Sequence, residues 1–198
     1  MCLMTTVRSF VSVELTDPAR EALAGLQHDL TSAFLPHTVR WTAPQSIHLT
    51  LQFLGDVPLE RIESIAQALR GTCADLAAFS FDLIGLGLFP DHRRPRIVWV
   101  GVHEPGGTLA ALHKNVGQAL TPLGFLPDER SFTPHLTIGR SARSASPRDL
   151  AQVGEQVNRL DVGLIKRISV DHIALMKSDL RPAGAIYTPQ AILPLGGR

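Results

Sequence analysis

One order of predicted elements occurs twice along the chain, and this repeat constrains the fold more than any other feature. Apolar residues two apart indicate strands, and apolar residues three or four apart indicate helices. Both halves follow the order strand, helix, strand, helix, strand. They cover residues 7–90 and 95–193, and no Gly/Ser-rich or Pro-rich linker separates them. We therefore expect a single domain over 1–198, made of two interlocked lobes.

The predicted strands are rich in β-branched and aromatic residues, and the predicted helices carry an apolar stripe on one face. Proline helps to place three of the helix starts, because it is tolerated in the first turn. Strands are predicted over 7–15, 47–54, 79–88, 96–102, 132–138, 167–175 and 185–193. Helices are predicted over 17–34, from Pro58 through Leu69, over 109–120, and from Pro147 through Val153.

Each half carries one His-x-Thr-x tetrapeptide at a matching place. His48 follows Arg8 by 40 residues and His135 follows Arg96 by 39, and both arginines lie near the start of a half. A single His-x-Thr on a strand is a weak signal, because it is also typical of a half-buried surface pair. Two of them at matching places indicate one shared site between lobes that are related by an approximate twofold axis.

Side-chain alternation in a strand puts each histidine on the same face as the threonine two residues later. His48 then shares a face with Thr50, and His135 with Thr137. Two imidazoles suit phosphodiester chemistry, because near neutral pH one can accept a proton while the other donates one. The threonine hydroxyls can donate hydrogen bonds to the non-bridging phosphate oxygens. On residue type alone the roles of the two histidines are interchangeable.

The net charge and the cysteine content indicate which partners and which cellular compartment to expect. The formal net charge is only +1, so any nucleic-acid substrate is expected to be short or bound at one end. Cys2 and Cys73 lack the number and spacing of a disulfide framework or a zinc site, which favours a reduced, cytoplasmic protein. We expect no metal, no cofactor and no membrane contact, and we expect a monomer.

Longer stretches around both motifs resemble the bacterial and archaeal RNA 2′,3′-cyclic phosphodiesterases of the two-histidine phosphoesterase superfamily, formerly called 2′-5′ RNA ligases. The likeness covers almost the whole chain. The flanks of the two motifs are far more specific than the tetrapeptides alone. The stretches that carry the resemblance are 8–15, 48–57, 85–90, 96–102 and 132–140.

The expected fold class is therefore α+β and bilobal, with pseudo-twofold βαβαβ halves and two mainly antiparallel sheets flanking a central cleft. The resemblance implies hydrolysis of a terminal 2′,3′-cyclic phosphate on RNA to a 2′-phosphomonoester, without a metal. It also implies that His48 is the proton donor to the leaving O3′ and that His135 is the proton acceptor that activates water. The alternatives are a cyclic phosphodiesterase on small nucleotides, a 2′-5′ joining activity, and a non-catalytic module that binds RNA ends.

Two further residues each have two interpretations. Strict alternation places Phe53 on the core side of its strand, which we favour, whereas the resemblance implies a neighbour of the nucleobase. Alternation also turns Arg140 away from the side of His135, unless Gly139 permits a bulge or the strand has ended. The resemblance matches Arg140 to an arginine that contacts the phosphate, and the other interpretation is a solvated loop charge.

Other aromatic and basic residues have weaker support. Trp41 and Trp99 can stack on a base, although tryptophans in apolar strands more often belong to the core. Arg93, Arg94 and Arg96 can guide an RNA strand toward the site, although a solvated basic loop is the more common case.

Overall fold

The computed structural model describes residues 5–127, 131–181 and 184–196. Within these residues the chain forms nine strands, four α-helices and three short 3₁₀ turns. The strands are β1 (Thr6–Val13), β2 (Val39–Trp41), β3 (Leu49–Pro58), β4 (Phe79–Phe89), β5 (Ile97–His103), β6 (His135–Ser141), β7 (Leu164–Val170), β8 (His172–Arg181) and β9 (Gly184–Pro194). The helices are α1 (Asp17–Ala33), α2 (Ile62–Ala74), α3 (Thr108–Leu120) and α4 (Pro147–Arg159).

The strands form one antiparallel sheet that consists of two groups. The order of strands is β7-β4-β5-β6-β3-β1-β8-β9, and β2 also pairs with β6. The groups β7-β4-β5-β6 and β3-β1-β8-β9 meet at one residue pair, Leu49 with Leu136. The expected α+β class is confirmed, and the two expected sheets are joined edge to edge by this pair.

The two halves of the sequence exchange strands. Strand β4 comes from the first half but pairs with β5, and β8 comes from the second half but pairs with β1. The order is consequently symmetric about the junction of β6 and β3, so that β5 corresponds to β1 and β4 corresponds to β8. Each strand group therefore contains strands from both halves of the sequence.

The four helices cover one face of the sheet. Their apolar stripes follow the spacing seen in the sequence, and Leu109, Leu112 and Val116 of α3 are all buried. Buried residues from every helix and from one face of the central strands, including Leu49 and Leu136, form a single contiguous core. The other face of the central strands is left for a site.

Proline marks one predicted helix start correctly and another incorrectly. Helix α4 begins at Pro147 as predicted, behind a capping box in which Ser146 and Asp149 bond each other's backbone N–H. Pro58 does not open a helix, because it ends β3, and α2 begins at Ile62 after a 3₁₀ turn. Proline with its fixed φ suits the end of a strand as well as the first turn of a helix, so the residue type alone does not separate these two cases.

The strands differ from the sequence-based prediction in two places. The single strand predicted over 167–175 is two strands, β7 and β8, which are separated at Asp171. These strands pair with β4 and β1, on opposite sides of the junction, so the break depends on distant partners and not on local pattern. Strand β2 was not predicted, because three residues are too short to show a period.

Matched β-bulges follow the two motifs. The register of β3 against β1 shifts by one residue at Leu51, and the register of β6 against β5 shifts by one residue at Ile138. Each bulge lies three residues after the motif histidine. A bulge changes the face on which later residues lie, so it decides where Phe53 and Arg140 point.

Gly154 of α4 packs closely against the loop between β4 and β5, and a substitution at Gly154 tests this contact. A Cβ atom on Gly154 would lie 1.8 Å from the backbone oxygen of His92, whereas nothing lies within 4 Å of a Cβ on Gly71 of α2. We predict that Gly154→Ala lowers the free energy of unfolding by about 1–3 kcal/mol, because the loop must move. Gly71→Ala is the matched control and should raise it by about 0.5–1 kcal/mol. Urea unfolding followed by circular dichroism measures both changes, and equal stability of the two variants would contradict this packing.

Candidate active site

His48 lies in an aromatic pocket of the β3-β1-β8-β9 group. Its ring stacks on Phe10 at a centroid distance of 4.6 Å and meets Tyr187 edge-on at 4.9 Å. Its Nδ1 atom lies 3.0 Å from the carbonyl oxygen of Ser46. Phe10 and Tyr187 also contact each other at 5.1 Å, so three rings from β1, β9 and the start of β3 pack together.

His135 occupies the corresponding place in the other strand group. Its ring meets Phe89 edge-on at a centroid distance of 4.9 Å and lies 6.1 Å from Trp99. Its Nδ1 atom lies 2.8 Å from the carbonyl oxygen of Thr133. Gly87 makes room for this arrangement, because a Cβ atom there would lie 2.0 Å from the Trp99 ring.

The two histidines share one hydrogen-bond arrangement. In each case Nδ1 faces the carbonyl oxygen of the residue two positions earlier in the chain. A carbonyl only accepts, so Nδ1 carries the proton and donates, and this contact selects the tautomer. Nε2 is then the atom of each ring that is left to accept or donate a proton.

The junction pair brings both motifs onto one face. Leu49 and Leu136 lie directly opposite each other and both point into the core, so their chain neighbours point to the other face. The antiparallel register then places Thr50 across from His135. Both His-Thr pairs therefore lie side by side on the face without helices, where the two strand groups meet.

The bulge at Ile138 places Arg140 on the same face. Thr137 pairs with Trp99 and Arg140 pairs with Ile97, and these β5 residues are two apart. Residues that lie directly opposite share a face, as do residues two apart in a regular strand. Thr137 and Arg140 therefore share a face, and the bulge condition that the sequence left open is met.

The preferred core interpretation of Phe53 is wrong. Its side chain is 69% exposed, and its ring centroid lies 6.2 Å from that of Phe10, which itself stacks on His48. Thr50 pairs with Ser12 and Phe53 pairs with Phe10, so the bulge at Leu51 moves Phe53 to the side of the site. Strict alternation predicts the wrong face for Phe53, as it does for Arg140, because a bulge follows the motif in each strand.

The sequence alone does not reveal the aromatic neighbours of the histidines, which are Phe10, Tyr187 and Phe89. Phe10 lies in a stretch that carries the resemblance, but Tyr187 reaches His48 from β9, far along the chain. Trp99, for which the sequence allows either base stacking or a core position, packs beside His135 on the site face. Trp41 stacks on Phe34 at 5.8 Å and packs against the core.

Burial affects the protonation of His48. Burial lowers the pKa of His48 from 6.5 to about 4, and the hydrogen bond to the Ser46 carbonyl opposes that shift only in part. In the free protein at neutral pH, His48 is therefore uncharged. His135 is held by an exposed hydrogen bond to Thr133.

Over 5–127, 131–181 and 184–196, no three His, Cys, Asp or Glu side chains come together in a way that could hold a metal ion. None of the helices in this part of the chain combines the length and the apolar composition that crossing a membrane requires.

The chain is similar to known proteins over nearly its whole length. Residues 17–182 match the model of the 2′-5′ RNA ligase superfamily. An RNA 2′,3′-cyclic phosphodiesterase of Methanothermobacter thermautotrophicus is 33% identical, and the match covers 96% of this chain and 99% of that protein. An RNA 2′,3′-cyclic phosphodiesterase of Aquifex aeolicus is 31% identical, and the match covers 98% and 100%.

Solved structures share the fold. A protein of Thermus thermophilus is 25% identical with a TM-score of 0.79, and the match covers 96% of this chain and 98% of that one. LigT of E. coli, solved in complex with 3′-AMP, is 23% identical with a TM-score of 0.76, and the match covers 96% and 99%. At that identity LigT supports the fold alone.

The buried, uncharged His48 predicts a pH dependence of stability. The unfolded chain takes up a proton on His48 near pH 6.5, whereas the folded protein takes it up only near pH 4. Between these values the unfolded state holds more protons, so the free energy of unfolding falls as the pH falls, by up to roughly 3 kcal/mol from this residue. Urea unfolding at pH 7 and pH 4.5 measures the loss. His48→Gln cannot titrate and should lose less over this range, and identical losses in both proteins would contradict the prediction.

Proposed function

Because the chain belongs to the 2′-5′ RNA ligase superfamily and is a phosphodiesterase, we propose that it hydrolyses the terminal 2′,3′-cyclic phosphate of RNA to a 2′-phosphomonoester. His48 and His135 are the catalytic pair, and no metal takes part. One observation carries this proposal. Both rings donate Nδ1–H to a backbone carbonyl, which leaves two Nε2 atoms on one face for proton transfer.

The reaction needs two proton transfers on opposite sides of the phosphorus atom. Water attacks phosphorus as the bond from phosphorus to O3′ breaks. His135 Nε2 accepts the proton of the attacking water, and His48 Nε2–H donates a proton to the departing O3′. Each transfer typically contributes ~10²–10⁴-fold to the rate. This division of roles comes from the resemblance, because the matched hydrogen bonds fit either histidine for either role.

His48 must be protonated before it can act as the acid. In the free protein burial keeps its pKa at about 4. A bound phosphodiester carries a negative charge next to the imidazole, and an adjacent opposite charge favours the protonated form. Substrate binding is then coupled to uptake of a proton at His48, so the acid forms only where substrate is present.

Thr50, Thr137 and Arg140 bind the phosphate. Both hydroxyls share the face of the histidines and can donate to the non-bridging oxygens, where charge increases in the transition state. The Arg140 guanidinium adds positive charge on the same face. Phe53 supports the nucleobase, because its exposed ring lies beside Phe10 at the edge of the His48 pocket.

Single substitutions test the catalytic pair. We predict that His48→Ala and His135→Ala each lower kcat on an oligonucleotide ending in a 2′,3′-cyclic phosphate by at least ~10²-fold, because each removes one proton transfer. The assay contains a chelator. His28→Ala is the control, because His28 is an exposed residue of α1 on the other side of the sheet.

The same assay separates the alternatives. Activity retained in either histidine variant would sink the two-histidine mechanism. Turnover of mononucleotides but not of oligonucleotides favours a small-nucleotide phosphodiesterase, and ligated products favour 2′-5′ joining. Binding without turnover at neutral pH favours a recognition module.

A second set of variants tests the hydroxyls. Thr50→Val and Thr137→Val keep the shape of the side chain but remove the donor, and each should lower kcat by about 10²-fold with a small change in KM. Thr50→Ser and Thr137→Ser keep the donor and should recover most of the rate. Steady-state kinetics on the cyclic substrate measure both effects. An equal loss in the valine and serine variants would assign the threonines to packing instead.

A further inference from the structure

Two arginines lie directly opposite each other on the site face. Arg40 of β2 pairs with Arg140 of β6, and both side chains are exposed. Directly opposed like charges destabilise an antiparallel pair. Within the part of the chain that the structure describes, no carboxylate lies within 4.0 Å of either guanidinium. The two arginines therefore concentrate positive charge at one place on the surface of a protein whose net charge is only +1.

Packing on the other face of β2 determines the direction of Arg40. Val39 and Trp41 pack over Gly139, where a Cβ atom would lie 2.7 Å from the Val39 side chain and 3.0 Å from the Trp41 ring. Trp41 also stacks on Phe34 at the end of α1. Since residues 39 and 41 point toward the helices, Arg40 between them points toward the site.

A buried glutamine holds this edge of the sheet in place. The side-chain amide of Gln27 donates to the carbonyl oxygens of Thr42 and Ile138, both at 2.8 Å. Gln27 thereby ties the end of β2 to the bulge of β6 that turns Arg140 toward the site. The backbones that carry both arginines are thus anchored from the core.

Arg40 lies farther from the reacting phosphate than Arg140 does. After the bulge, Arg140 is two strand positions beyond Thr137, or about 7 Å along the strand. Arg40 is one more strand outward, at a spacing of about 4.8 Å, on the far side of Arg140 from β5. Arg140 can reach the phosphate held by Thr137, whereas Arg40 extends the positive charge away from it.

We propose that Arg40, next to the Arg140 that binds the reacting phosphate, forms a second anion subsite for the phosphodiester that joins the terminal nucleotide of an RNA to its neighbour on the 5′ side. This inference rests on the proposed function. Planar guanidinium groups bind phosphate oxygens through paired N–H donors, so two of them about 5 Å apart can each bind one of two successive phosphates. A mononucleotide has no such second phosphate. The subsite therefore favours RNA ends over free cyclic nucleotides.

Kinetics on two substrates test the subsite. The substrates are a dinucleotide ending in a 2′,3′-cyclic phosphate and a mononucleoside 2′,3′-cyclic phosphate. Arg40→Gln should raise KM on the dinucleotide about tenfold and change KM on the mononucleotide less than twofold. On the dinucleotide, the slope of log(1/KM) against log[salt] should become shallower by about 0.7. Arg70→Gln removes the same charge on α2, away from the site face, and should change neither substrate.

Binding and stability provide readouts that do not depend on turnover. By titration calorimetry, Arg40→Gln should weaken binding of a dinucleotide with a 3′-phosphate about tenfold more than binding of a mononucleoside 3′-phosphate. The same variant should raise the urea midpoint, because it removes a repulsion between like charges. A higher midpoint also excludes misfolding as the cause of weaker binding.

The outcomes separate this inference from the proposed function. Equal effects of Arg40→Gln on the long and short ligands, or no effect on either, overturn the subsite. If wild type turns over neither cyclic phosphate, the proposed function fails, and the calorimetric comparison still decides whether Arg40 selects the ligand with two phosphates.

Discussion

The pairing of Leu49 with Leu136 is the contact on which the site depends. It is the junction between the two strand groups, and each leucine lies one residue after a motif histidine. Because side chains alternate along a strand, a shift of one residue at this junction would turn one motif into the core. Burial of both leucines opposes such a shift, so the hydrophobic core holds the register on which the polar site relies.

The paired bulges turn further residues of both central strands toward the site. Without the extra residues Leu51 and Ile138, alternation would turn Phe53 and Arg140 toward the helices. The Ile138 carbonyl at the β6 bulge accepts hydrogen bonds from the Thr42 N–H at 2.9 Å and from the Gln27 amide at 2.8 Å, so the bulge leaves this carbonyl paired. The Phe53 ring and the Arg140 guanidinium therefore both lie on the site face, and each follows a motif histidine by five residues.

The sequence predicts much of this arrangement, and the parts that it does not predict share one cause. Periodicity places α1 and α4, and the repeated order of elements places His48 and His135 at corresponding positions. Exchange of β4 and β8 between the strand groups, and the break between β7 and β8, depend on partners far along the chain. Phe53 was assigned to the core because a bulge is a property of two paired strands and cannot be recognised in one.

The geometry of the two motif histidines is matched, and burial at His48 adds a property that residue type does not reveal. Their hydrogen bonds are equivalent, and each ring meets another aromatic ring edge-on at 4.9 Å, Tyr187 beside His48 and Phe89 beside His135. Burial keeps the His48 imidazole uncharged in the free protein, and the negative charge of a bound phosphodiester favours its protonated form. The pseudo-twofold axis therefore relates the positions of the two rings, and the protonation of His48 depends on its own surroundings.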